Sequence, residues 1–320
     1  MATYSEYDYS LDEASAKKAM VELNEDPDEK DDALESFREW VEEHQYITAP
    51  TDDNFLLRFL RCSKFSMLRA QKLLEAYCTV RTSPKHGVPK WFQRQDMDDP
   101  VIIELIDTAF FVPLPERDSE GRKIVVCTGN YDPRVVSMDD VMRAAYMCVD
   151  IMLMDEKNQV NGFIYLLDCS HWTLSHVAYW TPTNLKKFVR AWQDVYPMIF
   201  QGSNYWKLPT IMDRLFDVIR YFMSESNRKM VVSHGHDFDR LHKVLPKSAL
   251  PEEYGGTAGT MKELCQKWKE EMYRNVKEFT KLECISFNEA AKPPAEFWNA
   301  SSEDVDDNIE VPVAPQVAKR

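Results

Sequence analysis

The pattern of apolar and polar positions centres on one short segment, residues 162–168 (GFIYLLD). Its nearly continuous run of apolar, β-forming residues is typical of a strand that is buried on both faces. Apolar residues recur at helical spacing before this strand, in residues 137–156, and after it, in residues 181–195. A buried strand between two amphipathic helices predicts an α/β domain in which helices cover a sheet.

Further segments extend the predicted sheet. Residues 109–114 and 123–127 flank a polar loop, so we expect them to pair as antiparallel strands. Residues 198–202 and 229–233 are shorter strand candidates. Between these two candidates, residues 208–223 are rich in apolar side chains and predict a helix with two apolar sides.

Capping residues mark the starts of the two helices around the central strand. Ser137 and Asp140 have the spacing of a capping box. Thr181 followed by Pro182 supplies an N-cap and a proline at the first helical position. We therefore expect helices to begin at these two places.

The ends of the chain differ from the sheet region. Apolar residues at helical spacing predict helices at residues 33–44, 54–62 and 66–81, with a connection at residues 84–89. Residues 261–281 predict one long, charged helix.

These patterns divide the chain into five regions. Residues 1–30 are polar and expected to be disordered, residues 31–88 form a helical module, and residues 89–258 form the sheet domain. Residues 259–286 form a C-terminal helix. Residues 287–320, rich in proline, alanine and aspartate, are expected to be a disordered tail.

Charge is concentrated at the two ends. The net charge of −14 includes −11 from residues 1–45, with 15 acidic and 4 basic residues, and −3 from residues 301–320. The body of the chain is therefore neutral and offers no broad basic surface to nucleic acid. No apolar run is long enough to span a membrane, and the acidic N-terminus lacks the apolar core of a signal peptide. We expect a cytoplasmic monomer.

The sequence contains little that predicts catalysis or a bound metal. Seven scattered cysteines without a C-x-x-C pair are expected to be reduced thiols. His234, His236 and His242 lack a carboxylate–histidine cluster at ligand spacing, so no metal is expected. Cys169 and His171 follow the central strand but have no orienting third group. Phosphate-binding glycine loops are absent, so we expect no catalytic residues and no cofactor.

Large apolar side chains are the remaining feature of the sequence. Stripes of them share one face of each predicted element: Met142, Ala145, Val149 and Met152; Phe163, Tyr165 and Leu167; Leu185, Phe188, Trp192 and Val195; Ile211, Leu215, Ile219 and Phe222. Such stripes are usually core packing. By themselves they do not distinguish a filled core from a cavity.

Three motifs fall in the order and spacing found in CRAL-TRIO proteins. FLLRFLR at residues 55–61, followed by AQKLL at residues 70–74, resembles the N-terminal helical module of that family. Residues 161–168 resemble its central strand, and LPEEYGG at residues 250–256 resembles its terminal motif. The chain thus resembles the CRAL-TRIO lipid-binding family, and especially its tocopherol- and retinaldehyde-binding members, over residues 33–275.

This resemblance implies a hydrophobic cavity on the sheet and a mobile helical lid. It also implies a carrier of a small hydrophobic ligand, such as a tocopherol, retinoid, carotenoid or other terpenoid-like lipid, with no catalytic step. Carried over by position, the cavity wall would include Met142, Ala145, Val149, Phe163, Leu167, Trp180, Phe188, Ala191, Trp192 and Met198. The lid would be residues 208–223, in which Ile211, Leu215, Ile219 and Phe222 share one apolar face.

Tyr165 is an addition from the strand pattern, because it shares a face with Phe163 and Leu167. Its hydroxyl can serve the polar end of a ligand. It can equally bond to a neighbouring helix, and the sequence does not decide between the two roles.

One departure from the family concerns the membrane. Tocopherol-transfer-like members carry a basic cluster near the lid that binds phosphoinositide headgroups. The matching positions here hold Ile199, Gln201, Ser226, Met230 and Ser63, while Arg61 is retained and Lys64, Arg228 and Lys229 lie nearby. Lys186, Lys187 and Arg190 form a further basic helix face that we expect to be solvated. We therefore expect transient contact with membrane surfaces and little selectivity for phosphoinositides.

Three alternatives remain open on the sequence alone. Phosphatidylinositol or phosphatidylcholine transfer requires polar groups at the cavity mouth, and no convincing set is present. A non-transporting interaction module would fill the cavity with its own side chains, for which 15 methionines and 8 tryptophans are available. An enzyme is the alternative with the least support.

Overall fold

The N-terminal part of the chain is helical. The structure, a computed structural model, describes residues 11–209, 220–221 and 223–292. The three helices predicted in this part are confirmed, with small shifts of their ends. The elements are α1 (Glu13–Leu23), α2 (Lys30–Glu43), β1 (Ile47–Thr48), α3 (Asp53–Cys62) and α4 (Met67–Thr82).

Helix α1 corrects the prediction that residues 1–30 are disordered. Asp12 caps this helix by accepting a hydrogen bond from the backbone N–H of Ser15 at 2.8 Å. Ala19 and Leu23 are buried and pack with Val160. An eleven-residue helix is marginal by itself, so α1 depends on this distant contact, which local patterning does not reveal. Residues 1–10 lie outside the described residues.

A mixed five-stranded sheet forms the second part of the molecule. In spatial order its strands are β2 (Phe111–Arg117), β3 (Lys123–Thr128), β4 (Phe163–Asp168), β5 (Phe200–Trp206) and β6 (Val231–Gly235). Strands β2 and β3 are antiparallel, as predicted, and β3 to β6 are parallel. The segment predicted as the central strand is the middle strand, β4.

Three strand predictions are displaced along the chain. The strand predicted at residues 109–114 is Phe111–Arg117. The strand predicted at residues 198–202 begins at Phe200, because Met198 lies in a tight turn in which its N–H donates to the carbonyl of Tyr196 at 2.8 Å. The strand predicted at residues 229–233 begins at Val231, because Lys229 still belongs to a short helix.

Helices precede and connect the strands. They are α5 (Pro100–Asp107), α6 (Met138–Met152), α7 (Glu156–Asn161), α8 (Leu174–Ala178), α9 (Pro182–Arg190), α10 (Glu225–Lys229) and α11 (Phe238–His242). Both capping predictions are confirmed: the Ser137 hydroxyl accepts from the Asp140 N–H at 3.2 Å, and the Thr181 hydroxyl accepts from the Asn184 N–H at 3.2 Å. Helices α5, α7, α8, α10 and α11 were not predicted, because elements of eight residues or fewer show too little of a helical period.

The C-terminal part corrects two further predictions. The single helix expected at residues 259–286 is two helices, α12 (Met261–Arg274) and α13 (Val276–Leu282), followed by β7 (Ser286–Phe287), which pairs with β1. Asn275 separates the helices, since its backbone (φ −108°, ψ 18°) departs from helical values. Residues 287–292 are not a disordered tail, because Lys292 pairs with Glu75 at 2.7 Å. Residues 293–320 lie outside the described residues.

A buried group of charges, the Arg61 cluster, joins the helical module to the sheet domain. The Arg61 side chain has 0% exposure. Its guanidinium donates to both carboxylate oxygens of Glu25, at 2.8 and 2.9 Å, and to Glu156 at 2.7 Å. It also donates to the Gln159 side-chain oxygen at 2.7 Å. The cluster therefore connects α3, the segment after α1, and α7.

A second buried network, the Arg81 cluster, connects α4 to α6. Arg81 donates to the Asp150 carboxylate at 3.2 Å and to the Tyr77 hydroxyl at 3.0 Å. The Tyr196 hydroxyl and the Gln95 side-chain amide also donate to Asp150. Both clusters hold the helical module against the domain that carries the cavity.

Candidate functional site

One face of the sheet forms the floor of a cavity. Side chains alternate between the two faces along each strand, and the register aligns four of them in a row across the sheet: Phe111, Cys127, Leu167 and Tyr205. Tyr165 and Ser203 are neighbours in the next row on the same face. All six residues line the cavity.

Helices α6 and α9 supply walls. Val141, Met142 and Ala145 line the cavity from α6, and Phe188 and Val189 line it from α9. These helices are amphipathic, as predicted, and their apolar faces lie against the floor.

An aromatic series runs along one side of the cavity. The ring centroids of Trp180 and Phe188 are 5.1 Å apart, and those of Phe188 and Trp192 are 5.8 Å apart. Trp192 lies in the π-helical turn Ala191–Val195, and its ring centroid is 5.0 Å from that of Tyr165 on the floor. Short π-helical turns are frequent at functional sites, because they change the direction of the side chains they carry.

The cavity is apolar and modest in size. Its volume is about 160 Å³. The described residues that line it include no aspartate, glutamate, lysine or arginine. This arrangement can hold a hydrophobic molecule and offers nothing to neutralise a charged one.

Seven of the eleven residues predicted for the cavity wall line this cavity. They are Met142, Ala145, Tyr165, Leu167, Trp180, Phe188 and Trp192. Val149, Phe163, Ala191 and Met198 are buried but do not line it. The cavity extends beyond the carboxyl ends of β3 and β4, whereas Phe163 begins β4 and Val149 lies one helical turn beyond Ala145.

Several residues that the sequence reasoning missed lie at that carboxyl end. Phe110, Tyr131, Trp172 and His176 line the cavity from segments that adjoin β2, β3 and β4. Three of them are in irregular segments, so no periodicity identifies them. Open α/β sheets often bind ligands just beyond the carboxyl ends of their strands, but the sequence pattern did not assign these four residues to the cavity.

The residues predicted for the lid, Ile211, Leu215, Ile219 and Phe222, lie outside the described residues. The segment that follows them does reach the cavity, since Met223 and Asn227 line it.

The hydroxyl of Tyr165 lies 3.8 Å from the thioether sulfur of Met198. Burial raises the pKa of this phenol well above its ordinary value, so the group is neutral. Met198 lies in the turn before β5, so this contact is not the bond to a neighbouring helix that was considered for Tyr165. Its role toward a ligand stays a prediction.

The histidines considered for a metal have other partners. His234 Nε2 bonds to the Asn204 side-chain oxygen at 2.8 Å, and His242 Nε2 bonds to the Tyr254 carbonyl at 2.8 Å. Within the described part of the chain, no group of three or more potential ligands is placed to hold a metal ion. All seven cysteines are free thiols, as predicted. Burial raises the pKa of Cys169, which opposes its use as a nucleophile.

Arg61, the retained member of the family's headgroup-binding set, is enclosed by the Arg61 cluster. Its donors are occupied by Glu25, Glu156 and Gln159. Arg228 and Lys229 are exposed, and Lys229 pairs with Glu225 at 2.7 Å. In this arrangement, therefore, Arg61 cannot contact a lipid headgroup.

Comparison with known proteins identifies the family. Residues 107–256 match the family described as "CRAL/TRIO domain", and residues 26–102 match that described as "Pinta-like, UBA domain". Clavesin-2 of Homo sapiens is 33% identical over 253 residues, which cover 77% of this chain and 75% of clavesin-2. This chain belongs to the CRAL-TRIO family. Clavesin-1 of Xenopus laevis is 31% identical over 254 residues, covering 77% and 74% of the two chains.

The CRAL-TRIO family comprises lipid-binding and lipid-transfer proteins. The crystal structure of Sfh5 aligns with 79% of this CRAL-TRIO chain and 90% of its own, with a TM-score of 0.43 and 12% identity. In the part of the chain that the structure describes, no helix is both long and apolar enough to cross a membrane.

Proposed function

We propose that this CRAL-TRIO chain is a cytoplasmic carrier that binds one small hydrophobic molecule in its cavity and transfers it to membranes or other proteins. The observation that supports this is the cavity between the sheet, α6 and α9, which is lined by aromatic and aliphatic side chains. Burying roughly 400 Å² of apolar ligand surface at about 25 cal/mol/Å² contributes about 10 kcal/mol before the costs of association.

The composition of the cavity wall supports a ligand whose hydrocarbon part lies against aromatic and aliphatic side chains. The bulk of Trp180, Phe188 and Trp192 limits the width of that part, so these residues are expected to set ligand choice. A tocopherol, retinoid, carotenoid or other terpenoid-like lipid is the class that we propose. A phospholipid headgroup inside the cavity would lack charged partners among the described lining residues.

Native mass spectrometry of the freshly purified chain, followed by solvent extraction, tests the proposal. We expect a bound mass of a neutral lipid that is released by the solvent. The variant Ala145→Phe places a ring in the cavity and should abolish this mass. The matched variant Ala178→Phe adds the same ring at an exposed position of α8 and should retain it. A chain that carries no ligand and takes up none from lipid vesicles would contradict the carrier function.

We further propose that contact with membranes is transient and weakly selective, since Arg61 is enclosed. Liposome flotation with and without phosphoinositide should show about the same small bound fraction. Strong binding that depends on the phosphoinositide would contradict this proposal.

A further inference from the structure

Two buried nitrogen atoms at one end of the cavity have no hydrogen-bond partner. They are Nε1 of Trp172 and Nε2 of His176, and both residues line the cavity. Other buried nitrogen and oxygen atoms also lack partners, among them Nε1 of Trp40. Among the described residues that line the cavity, however, only Trp172 and His176 carry such an atom. A buried donor without a partner is costly, so this pair requires an explanation.

Both atoms are donors. An indole nitrogen can only donate. In His176, Nδ1 accepts a hydrogen bond from the backbone N–H of Thr173 at 3.1 Å, so the proton of the neutral ring is on Nε2. Burial lowers the pKa of His176, while the backbone carbonyls of Tyr131 and Gly129 and the Asp132 carboxylate oppose this effect. Neither carbonyl forms a hydrogen bond of accepted geometry with Nε2.

The two donor-bearing rings pack against one backbone segment, residues 129–131. A Cβ atom on Gly129 would lie 2.2 Å from Cδ1 and 2.5 Å from Nε1 of Trp172, so the indole edge rests directly on this glycine. His176 is 3% exposed and faces Tyr131 with ring centroids 5.0 Å apart. Both donors therefore lie beside residues 129–131, just beyond the carboxyl end of β3.

We propose that Trp172 Nε1 and His176 Nε2 form a polar anchor for the terminal oxygen of an uncharged ligand, an alcohol or an aldehyde. The hydrocarbon part of that ligand then lies among Trp180, Phe188 and Trp192. The inference rests on the proposed carrier function and adds the chemical class of the ligand's polar end.

The surroundings favour an uncharged oxygen over a carboxylate. None of the described residues that line the cavity is a lysine or an arginine. The nearest cation on the adjoining loop, Arg134, is exposed and pairs with Asp132 at 2.7 Å. A carboxylate at the anchor would be desolvated beside the carbonyls of residues 129 and 131 without a counter-ion. A hydroxyl can accept from one donor and donate to one of these carbonyls.

Three probes with one carbon skeleton test the anchor: 2-naphthaldehyde, 2-naphthalenemethanol and 2-methylnaphthalene. Binding of each to the full chain is measured by titration calorimetry. In Trp172→Phe and in His176→Phe, the affinity for the two oxygenated probes should fall about fivefold, the effect of one neutral hydrogen bond. Affinity for 2-methylnaphthalene should change less than twofold.

Two control variants make the same Trp→Phe and His→Phe substitutions at positions outside the cavity. Trp40→Phe removes an indole N–H that is also buried and without a partner but does not line the cavity. His171→Phe makes the histidine change at an exposed position. Neither should alter the affinity for any of the three probes.

A nuclear magnetic resonance measurement on the unaltered chain does not depend on the folding of the variants. The indole N–H resonance of Trp172 should shift more with 2-naphthaldehyde than with 2-methylnaphthalene. Equal shifts, or variants that lose affinity for all three probes alike, would overturn the anchor while leaving the carrier function intact. Failure of all three probes to bind would also overturn the anchor, whereas the carrier function is overturned only if the chain carries no ligand and takes up none from lipid vesicles.

Discussion

The Arg61 cluster and the anchor at Trp172 and His176 are both buried polar groups, but they differ in whether their nitrogen atoms have hydrogen-bond partners. Every nitrogen of the Arg61 guanidinium has a partner within the protein, at 2.7 to 2.9 Å. The two anchor nitrogens have none. A satisfied buried group has nothing left to offer a ligand, whereas an unsatisfied one beside a cavity does.

This difference separates structure from binding within one chain. The family resemblance pointed to Arg61 as a lipid-contacting residue, yet its partners make it a connection between the helical module and the sheet domain. Conversely, Trp172 and His176 belong to no motif of the sequence. Whether a buried polar side chain can bind a ligand therefore depends on whether its hydrogen bonds are already made within the folded chain.

The largest expected effect is on the satisfied cluster. Arg61→Ala leaves Glu25 and Glu156 buried without their cation, so we expect the free energy of unfolding to fall by about 3–5 kcal/mol. Urea denaturation measures this change. The control Lys229→Ala breaks an exposed pair and should leave the midpoint nearly unchanged. A small effect of Arg61→Ala would show that water reaches the cluster.

A smaller effect is expected at Trp192, which lies between the Arg81 cluster and the cavity floor. Its ring is 6.5 Å from Tyr146 on the side of the Arg81 cluster and 5.0 Å from Tyr165 on the cavity floor. Because Trp192 is partly exposed, Trp192→Ala should cost about 2 kcal/mol of stability, less than a fully buried tryptophan.

Ligand choice should respond more specifically to Trp192→Ala. We expect the affinity ratio of retinol to 2-naphthalenemethanol to rise about tenfold, because the cavity widens where the ring was. Phe92→Ala, a large-to-small change beside the Arg81 cluster, should lower stability without changing that ratio. Equal losses of affinity for both probes in Trp192→Ala would indicate that Trp192 is ordinary core.

Much of the scaffold was predictable, because its elements are long and periodic. The central strand, the antiparallel pair and the capped starts at Ser137 and Thr181 all follow from local patterns. Helix α1 was not predictable, because its stability depends on contact with Val160. Asn275 divides the C-terminal helix although the charge pattern continues through it.

Periodicity identified cavity residues only where elements are regular. Alternation along β4 identified Tyr165 and Leu167, and helical spacing identified Met142 and Ala145. Phe163 satisfies the same alternation and is buried, but it does not line the cavity, although its register partner Phe200 does. Trp172 comes from an irregular segment, where only three-dimensional packing against Gly129 determines its direction.

The Arg81 cluster should respond more weakly than the Arg61 cluster, because it has several neutral members. Tyr196→Phe removes one hydroxyl that donates to Asp150, while Tyr77, Gln95 and Arg81 remain near the carboxylate. We expect a loss of about 1–2 kcal/mol in urea denaturation. The partly exposed hydroxyl of Tyr273 provides the matched change, and Tyr273→Phe should cost clearly less. Equal losses of stability in the two variants would indicate that water reaches the Arg81 cluster.

The smallest expected effect is a pH dependence at the anchor. Burial lowers the pKa of His176 below the ordinary value of 6.5, so as the pH falls the unfolded chain binds a proton at this histidine before the folded chain does. The contribution of neutral His176 to the free energy of unfolding is therefore fully present above about pH 6.5. It is lost as the pH falls toward the lower pKa of the folded state. His176→Phe removes this loss, and its stability relative to the unaltered chain should rise between pH 7.5 and pH 5. His234, whose pKa is also lowered by burial, remains in both chains and cancels in the comparison. Parallel curves of unfolding free energy against pH would mean that His176 is solvated, and a solvated imidazole has no unmet donor to offer a ligand.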